Sequence, residues 1–125
     1  MSDTFNQLDT IRPKQIWDGV LARMVESELI TMAIVELEPN SAVLEHQHVN
    51  EQLGFVIEGS ITFTVDGETK EIGPGGTWRI LADVPHRAAA GPDGATVAEV
   101  YSPVRADWSA LDSVDPVPPR WPSQA

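Results

Sequence analysis

Hydrophobic and polar positions alternate most regularly at residues 60–65, where Ile61, Phe63 and Val65 fall on one side and Ser60, Thr62 and Thr64 on the other. A period of two in β-branched and aromatic residues marks a half-buried strand. Asp66-Gly67 follows, a pair that enters the positive φ of a tight primed turn at little cost, so the chain is expected to reverse into residues 68–72. Further strands are expected at residues 29–36, 52–57, 77–81, 85–89 and 95–101. The turn signals between them are Pro39-Asn40, Glu58-Gly59, Gly73-Pro74-Gly75-Gly76 and Gly91-Pro92-Asp93-Gly94. No long helical period competes with them. Short strands at regular spacing predict an all-β sandwich or small barrel. Prolines at 116, 118, 119 and 122 exclude residues 112–125 from a central strand or helix. That stretch is expected to be an extended tail, mobile or crossing a neighbouring surface through Trp121.

Composition narrows the range of functions. At 125 residues the chain has room for one domain with a modest core. Eight Lys+Arg against nineteen Asp+Glu leave a net charge of −11, which repels nucleic acid and anionic membranes. The absence of cysteine removes disulfides, thiolate zinc sites and cysteine nucleophiles. The opening residues, Met1-Ser2-Asp3-Thr4-Phe5, have neither a basic start nor an apolar run of signal length, and no stretch approaches a membrane span. A cytoplasmic location is expected. Gly73 to Gly76 lacks the Lys-Ser or Lys-Thr of a phosphate loop and reads as a turn.

The candidate chemistry lies in the three histidines, at 46, 48 and 86. In an extended chain, alternate side chains share a face, so His46, His48 and Gln52 have one parity and Glu51 the other. Glu51 replaces Gln52 in the set only if a bulge intervenes. His86 begins a later strand that a barrel brings beside the first. A His-x-His pair alone is commonly a solvated pair, but here all the imidazole of the chain is placed where one cavity can collect it. Neutral imidazole suits Zn, Ni and Fe, and four protein ligands leave a divalent ion room for water or substrate.

Residues 46–59, His-Gln-His-Val-Asn-Glu-Gln-Leu-Gly-Phe-Val-Ile-Glu-Gly, resemble the first motif of the cupin superfamily. Gly67, Pro74 and Gly76 followed by His86 resemble the second. The resemblance implies a single-domain jelly-roll β-barrel over residues 17–108, with an N-terminal extension at 1–16 and the Pro-rich tail at 109–125. It also implies one divalent metal ion (Zn, Ni, Mn or Fe) on His46, His48, Gln52 and His86. Most cupins have Glu where this chain has Gln52, and an Asn soon after the last histidine where it has Ala88, Ala89 and Ala90. A neutral amide leaves more of the cation's charge uncompensated, which favours polarisation of a substrate over oxidation.

Residues 99–108 resemble the closing strand and turn of the pectin-degradation cupins, as do the Glu-Gln-Leu-Gly and Val-Pro-His runs. That likeness implies non-redox ring opening and tautomerisation of 4,5-unsaturated uronates. The Asp, Phe and Arg that line the metal pocket there are matched by Glu99, Tyr101 and Arg105. Arg105 offers a bidentate fork to a sugar carboxylate, and Glu99 a carboxylate to move a proton or to pair with Arg105. Two other readings stand beside this one: an aromatic polyketide ring cyclase, and a non-catalytic binding or sensor cupin. An apolar pocket would favour the cyclase, and Arg105 directed at the metal would favour the uronate. Leu53, Phe55 and Ile57 have the parity opposite to Gln52, so a partner subunit is expected to cover that face. The expected partners are therefore a small anionic substrate and a second copy of the chain, with residues 8–25 an exchanged or edge element. Trp17, Trp78 and Trp108 are expected in the core or pocket walls.

Overall fold

The computed structural model describes residues 4–123. After one 3₁₀ turn come eight strands: β1 (Lys14–Trp17), β2 (Val20–Glu26), β3 (Thr31–Leu37), β4 (Ala42–His46), β5 (Glu51–Val65), β6 (Glu68–Ile72), β7 (Thr77–Ile80) and β8 (His86–Ser102). A single helical turn, α1 (Ala106–Ser109), precedes the tail. Residues 1–3 of the expected extension and 124–125 of the tail lie outside the described residues. No helix among the described residues is long and apolar enough to cross a membrane.

β5 and β8 organise the fold by pairing antiparallel from Glu51 opposite Ser102 to Val65 opposite His86. The later half of β8 continues through β3 and β2 to β1, and the start of β5 carries β7. The early half of β8 pairs with β4, and the end of β5 carries β6. The two long strands thus belong to both layers of one all-β jelly-roll barrel. Val20, Val35, Leu37, Val56, Ile61, Phe63, Ile80 and Val97 fill its interior.

Glu58-Gly59 and residues 91–94 do not end strands as expected. β5 runs through the first with register shifts, and β8 advances from Ala95 to Ala90 while β5 advances from Gly59 to Ile61. Each strand bends there to enter the other layer, so these turn residues mark corners. Gly59 has φ +81°, and a Cβ on it would lie 2.2 Å from the Gly94 carbonyl oxygen.

β1, β2 and β4 lack a clear alternation in sequence. In β2 the reason is that both faces are covered. Val20, Ala22 and Met24 face the core, while Arg23, of opposite parity, is 1% exposed. Arg23 donates to Glu36 Oε2 at 3.0 Å and to the Val117 carbonyl. The Arg120 amide donates to the same Glu36 oxygen at 2.8 Å. A bridge between Lys14 and Ser113 completes the course of the tail across β1–β3 of its own barrel. β1 is the edge strand of the chain's own sheet. On the outer face, Met32, Leu53, Phe55 and Val100 form an exposed apolar strip bordered by Trp121.

Candidate metal centre

His46 closes β4 and His86 opens β8, where the two are register partners. His48 lies in the connection to β5, and Gln52, the second residue of β5, sits opposite Tyr101. The histidine pair therefore does not lie on one continuous strand, as its parity suggested. The turn at 47–50 directs His48 inward, and buried Asn50 fixes that turn by donating to the carbonyls of Pro103 and Val104. The imidazole centroids are 4.3 Å (His46–His86), 4.9 Å (His48–His86) and 5.5 Å (His46–His48) apart. One ligand atom from each lies within 4.8 Å of the others. That is close to the ~4.2 Å limit for two nitrogens each bonded at about 2.1 Å to a common ion.

The tautomers follow from the backbone. Nδ1 of His46, His86 and His48 faces the carbonyl oxygens of Leu44 (2.7 Å), Val84 (2.9 Å) and Asn50 (2.9 Å). A carbonyl only accepts, so each proton sits on Nδ1 and each Nε2 carries a bare lone pair. Burial pushes His86 down to about 4. Burial and the Arg105 charge also lower His48, and in both residues this favours the neutral ring, which is the ligating form.

His48 Nε2 lies 3.2 Å from Gln52 Oε1. With the proton on Nδ1 both atoms accept, and a cation between them makes the contact favourable. The residues present therefore fit a divalent ion. Glu51 is exposed, whereas Gln52 is buried.

Behind Gln52 lies Glu99, which is fully buried. Gln52 Nε2 and Trp78 Nε1 (3.0 Å) donate to its Oε2, and the Tyr101 hydroxyl donates to its Oε1 at 3.0 Å. Burial raises Glu99 against these donors, and burial with the neighbouring Glu99 charge holds Tyr101 well above the usual phenol range. Arg105 does not pair with Glu99. Its Nε and Nη2 reach Asp107 at 3.0 and 2.9 Å, and its Cζ stacks 3.9 Å from the Trp108 ring centroid and 4.7 Å from that of Tyr101. The Arg105 guanidinium holds the Asp107 carboxyl below its usual range.

His46, Gln52, His86, Glu99, Tyr101 and Arg105 line one interior cavity of about 40 Å³, whose remaining wall is apolar. Trp17 and Trp108 belong to that wall. Sequence reasoning missed the roles of Trp78, Asn50 and Asp107. One signal was available for Trp78: Gly54 is its register partner, and a Cβ there would lie 2.6 Å from the indole, so the glycine of the Glu-Gln-Leu-Gly run makes room for the ring.

A jelly-roll barrel that gathers three imidazoles, with their bare nitrogens converging, defines a small barrel protein equipped for a divalent ion. Residues 33–101, over half of the chain, match the Cupin domain family, and the chain belongs to it. No curated protein sequence matches. Among solved structures it is similar to an RmlC-like cupin from Shewanella frigidimarina, with 23% identity, TM-score 0.79, and 85% of this chain and 96% of that one covered. It is also similar to KdgF from Halomonas sp., with 23% identity, TM-score 0.71, and 76% and 88% covered. Against a Bacillus subtilis oxalate decarboxylase the values are 20% and 0.72, with 87% of this chain and 32% of that one covered. At these identities the likeness concerns the fold.

Proposed function

We propose that this cupin is a metal-dependent, non-redox enzyme that opens and tautomerises 4,5-unsaturated uronates, with the ion held by His46, His48, Gln52 and His86. The observation that carries this reading is a buried guanidinium, Arg105, lining the same small cavity as His46 and His86 in a chain of net charge −11. When bound, a divalent ion supplies a Lewis acid for a substrate oxygen. Asp107 and two aromatic rings hold Arg105 in place, and its Nη1 makes no hydrogen bond to the described residues. That nitrogen is free to bind a carboxylate. Ring opening leaves an enol, whose tautomerisation moves a proton from oxygen to carbon. Glu99 Oε1, bonded to the Tyr101 hydroxyl, is the group placed to take and return it.

About 40 Å³ admits only the reacting end of a sugar. Ile16, Trp17 and Val43 are the half-buried part of the wall and must give way to the remainder. The apolar lining alone would suit the polyketide cyclase, but apolar walls are what any barrel needs to fold, whereas a buried arginine is not. Incubation with an unsaturated uronate should abolish the enol ether absorbance only when metal is present. Arg105→Lys, which keeps the charge and loses the fork, should raise KM about tenfold or more while changing kcat less. Tight binding without chemical change would favour the sensor, and turnover of aromatic polyketones instead would favour the cyclase.

We also propose that the apolar strip of Met32, Leu53, Phe55 and Val100 is covered by a second copy of the chain. Sedimentation should return twice the chain mass, and Phe55→Asp should return the chain mass alone. A wild-type monomer at micromolar concentration would refute the dimer.

A further inference from the structure

We infer that Glu99 determines which end of the Gln52 amide faces the ion, and so makes residue 52 a ligand at all. The inference rests on the metal centre proposed above and gives the Oε2 atom of Glu99 a positioning role.

An amide has two ends of opposite chemistry and nearly identical shape: the oxygen accepts and can coordinate, whereas the NH2 donates and repels a cation. Sterics cannot choose between them, so an external partner must. Here the partner is a carboxylate, which has no hydrogen to give. Gln52 Nε2 donates to Glu99 Oε2, which forces Gln52 Oε1 to the opposite side, 3.2 Å from His48 Nε2. Glu99 is itself held at both oxygens, by Trp78 Nε1 at Oε2 and by the Tyr101 hydroxyl at Oε1. Strand register builds this arrangement. Gln52 lies opposite Tyr101, and Gly54 lies opposite both Glu99 and Trp78, so one face of three paired strands carries the whole relay.

A carboxylate at 52 would need no such device, because its two oxygens are equivalent. Gln52 and Glu99 are therefore a matched pair, with the amide at the ion and the charge one residue behind it. This predicts that a carboxylate at 52 restores the site when the carboxylate at 99 is lost. With Co2+ as the probe, affinity by chelator competition and the visible spectrum report ligation without any turnover.

Glu99→Leu should weaken Co2+ binding about 10- to 100-fold, since an apolar side chain at 99 gives the Gln52 NH2 no acceptor and no longer dictates the orientation. The double variant Gln52→Glu/Glu99→Leu, whose two oxygens at 52 are equivalent, should return to within a few-fold of wild type. Should Glu99→Leu fail to fold, Trp78→Phe removes one anchor of the carboxylate while keeping a ring, and a several-fold loss of affinity is expected. Wild-type affinity and spectrum in the folded Glu99→Leu protein, or a double variant no better than that single one, overturns the inference alone; so does unchanged affinity in Trp78→Phe. Wild-type protein that binds Co2+ no better than His86→Ala overturns the metal centre and this inference with it.

Discussion

His86→Ala is expected to lower Zn2+ affinity by at least about 100-fold, exceeding the 10- to 100-fold typical of losing a group behind a ligand. The substitution leaves a gap beside His46, its register partner, and removes one of three ring nitrogens that lie within 4.8 Å of one another on imidazoles held at Nδ1 by the carbonyls of Leu44, Asn50 and Val84. The remaining nitrogens cannot spread to replace it, because each ring is held at Nδ1. His46→Ala should behave alike, and in both variants turnover should fall with metal content. Equilibrium competition against a chelator measures the loss, with far-ultraviolet circular dichroism confirming that the barrel persists. A folded His86→Ala protein that retains zinc at wild-type affinity would sink the three-histidine centre.

Glu36→Ala is expected to cost about 3–5 kcal/mol of stability, the range for removing one partner of a buried ion pair. Arg23, 1% exposed, would keep its charge beneath the tail with only the Val117 carbonyl to satisfy it, and its Nε already has no partner. The Arg120 amide loses its acceptor in the same step. A fall in Tm of about 10 °C or more should follow. Arg23→Met/Glu36→Leu should recover most of it, since an apolar pair of similar volume removes both buried charges together. If Glu36→Ala unfolds within a few degrees of wild type, the tail does not seal this pair from water.

The central strands and the histidine set were legible because each depends on local alternation. Ile61, Phe63 and Val65 alternate with Thr62 and Thr64, Asp66-Gly67 turns the chain, and His46 and His86 fall at strand ends with His48 in the connection just beyond β4. β2 was illegible because burial on both faces erases a two-residue period, and what covers its second face is a tail about 90 residues distant. The corners at Gly59 and Gly94 read as ends of strands because a glycine needed for positive φ looks the same whether the chain reverses or bends.

The sequence by itself determined an all-β barrel, a set of three histidines able to meet within it and an acidic net charge, because composition, alternation and turn chemistry act between near neighbours. Only the tertiary structure decided that Gln52 and not Glu51 points inward, that Arg105 pairs with Asp107, and that Trp78 and Tyr101 hold Glu99 behind the amide. The contacts of Gln52 and Trp78 with Glu99 join residues 47 and 21 apart along the chain, and their register exists only once β5, β7 and β8 have paired.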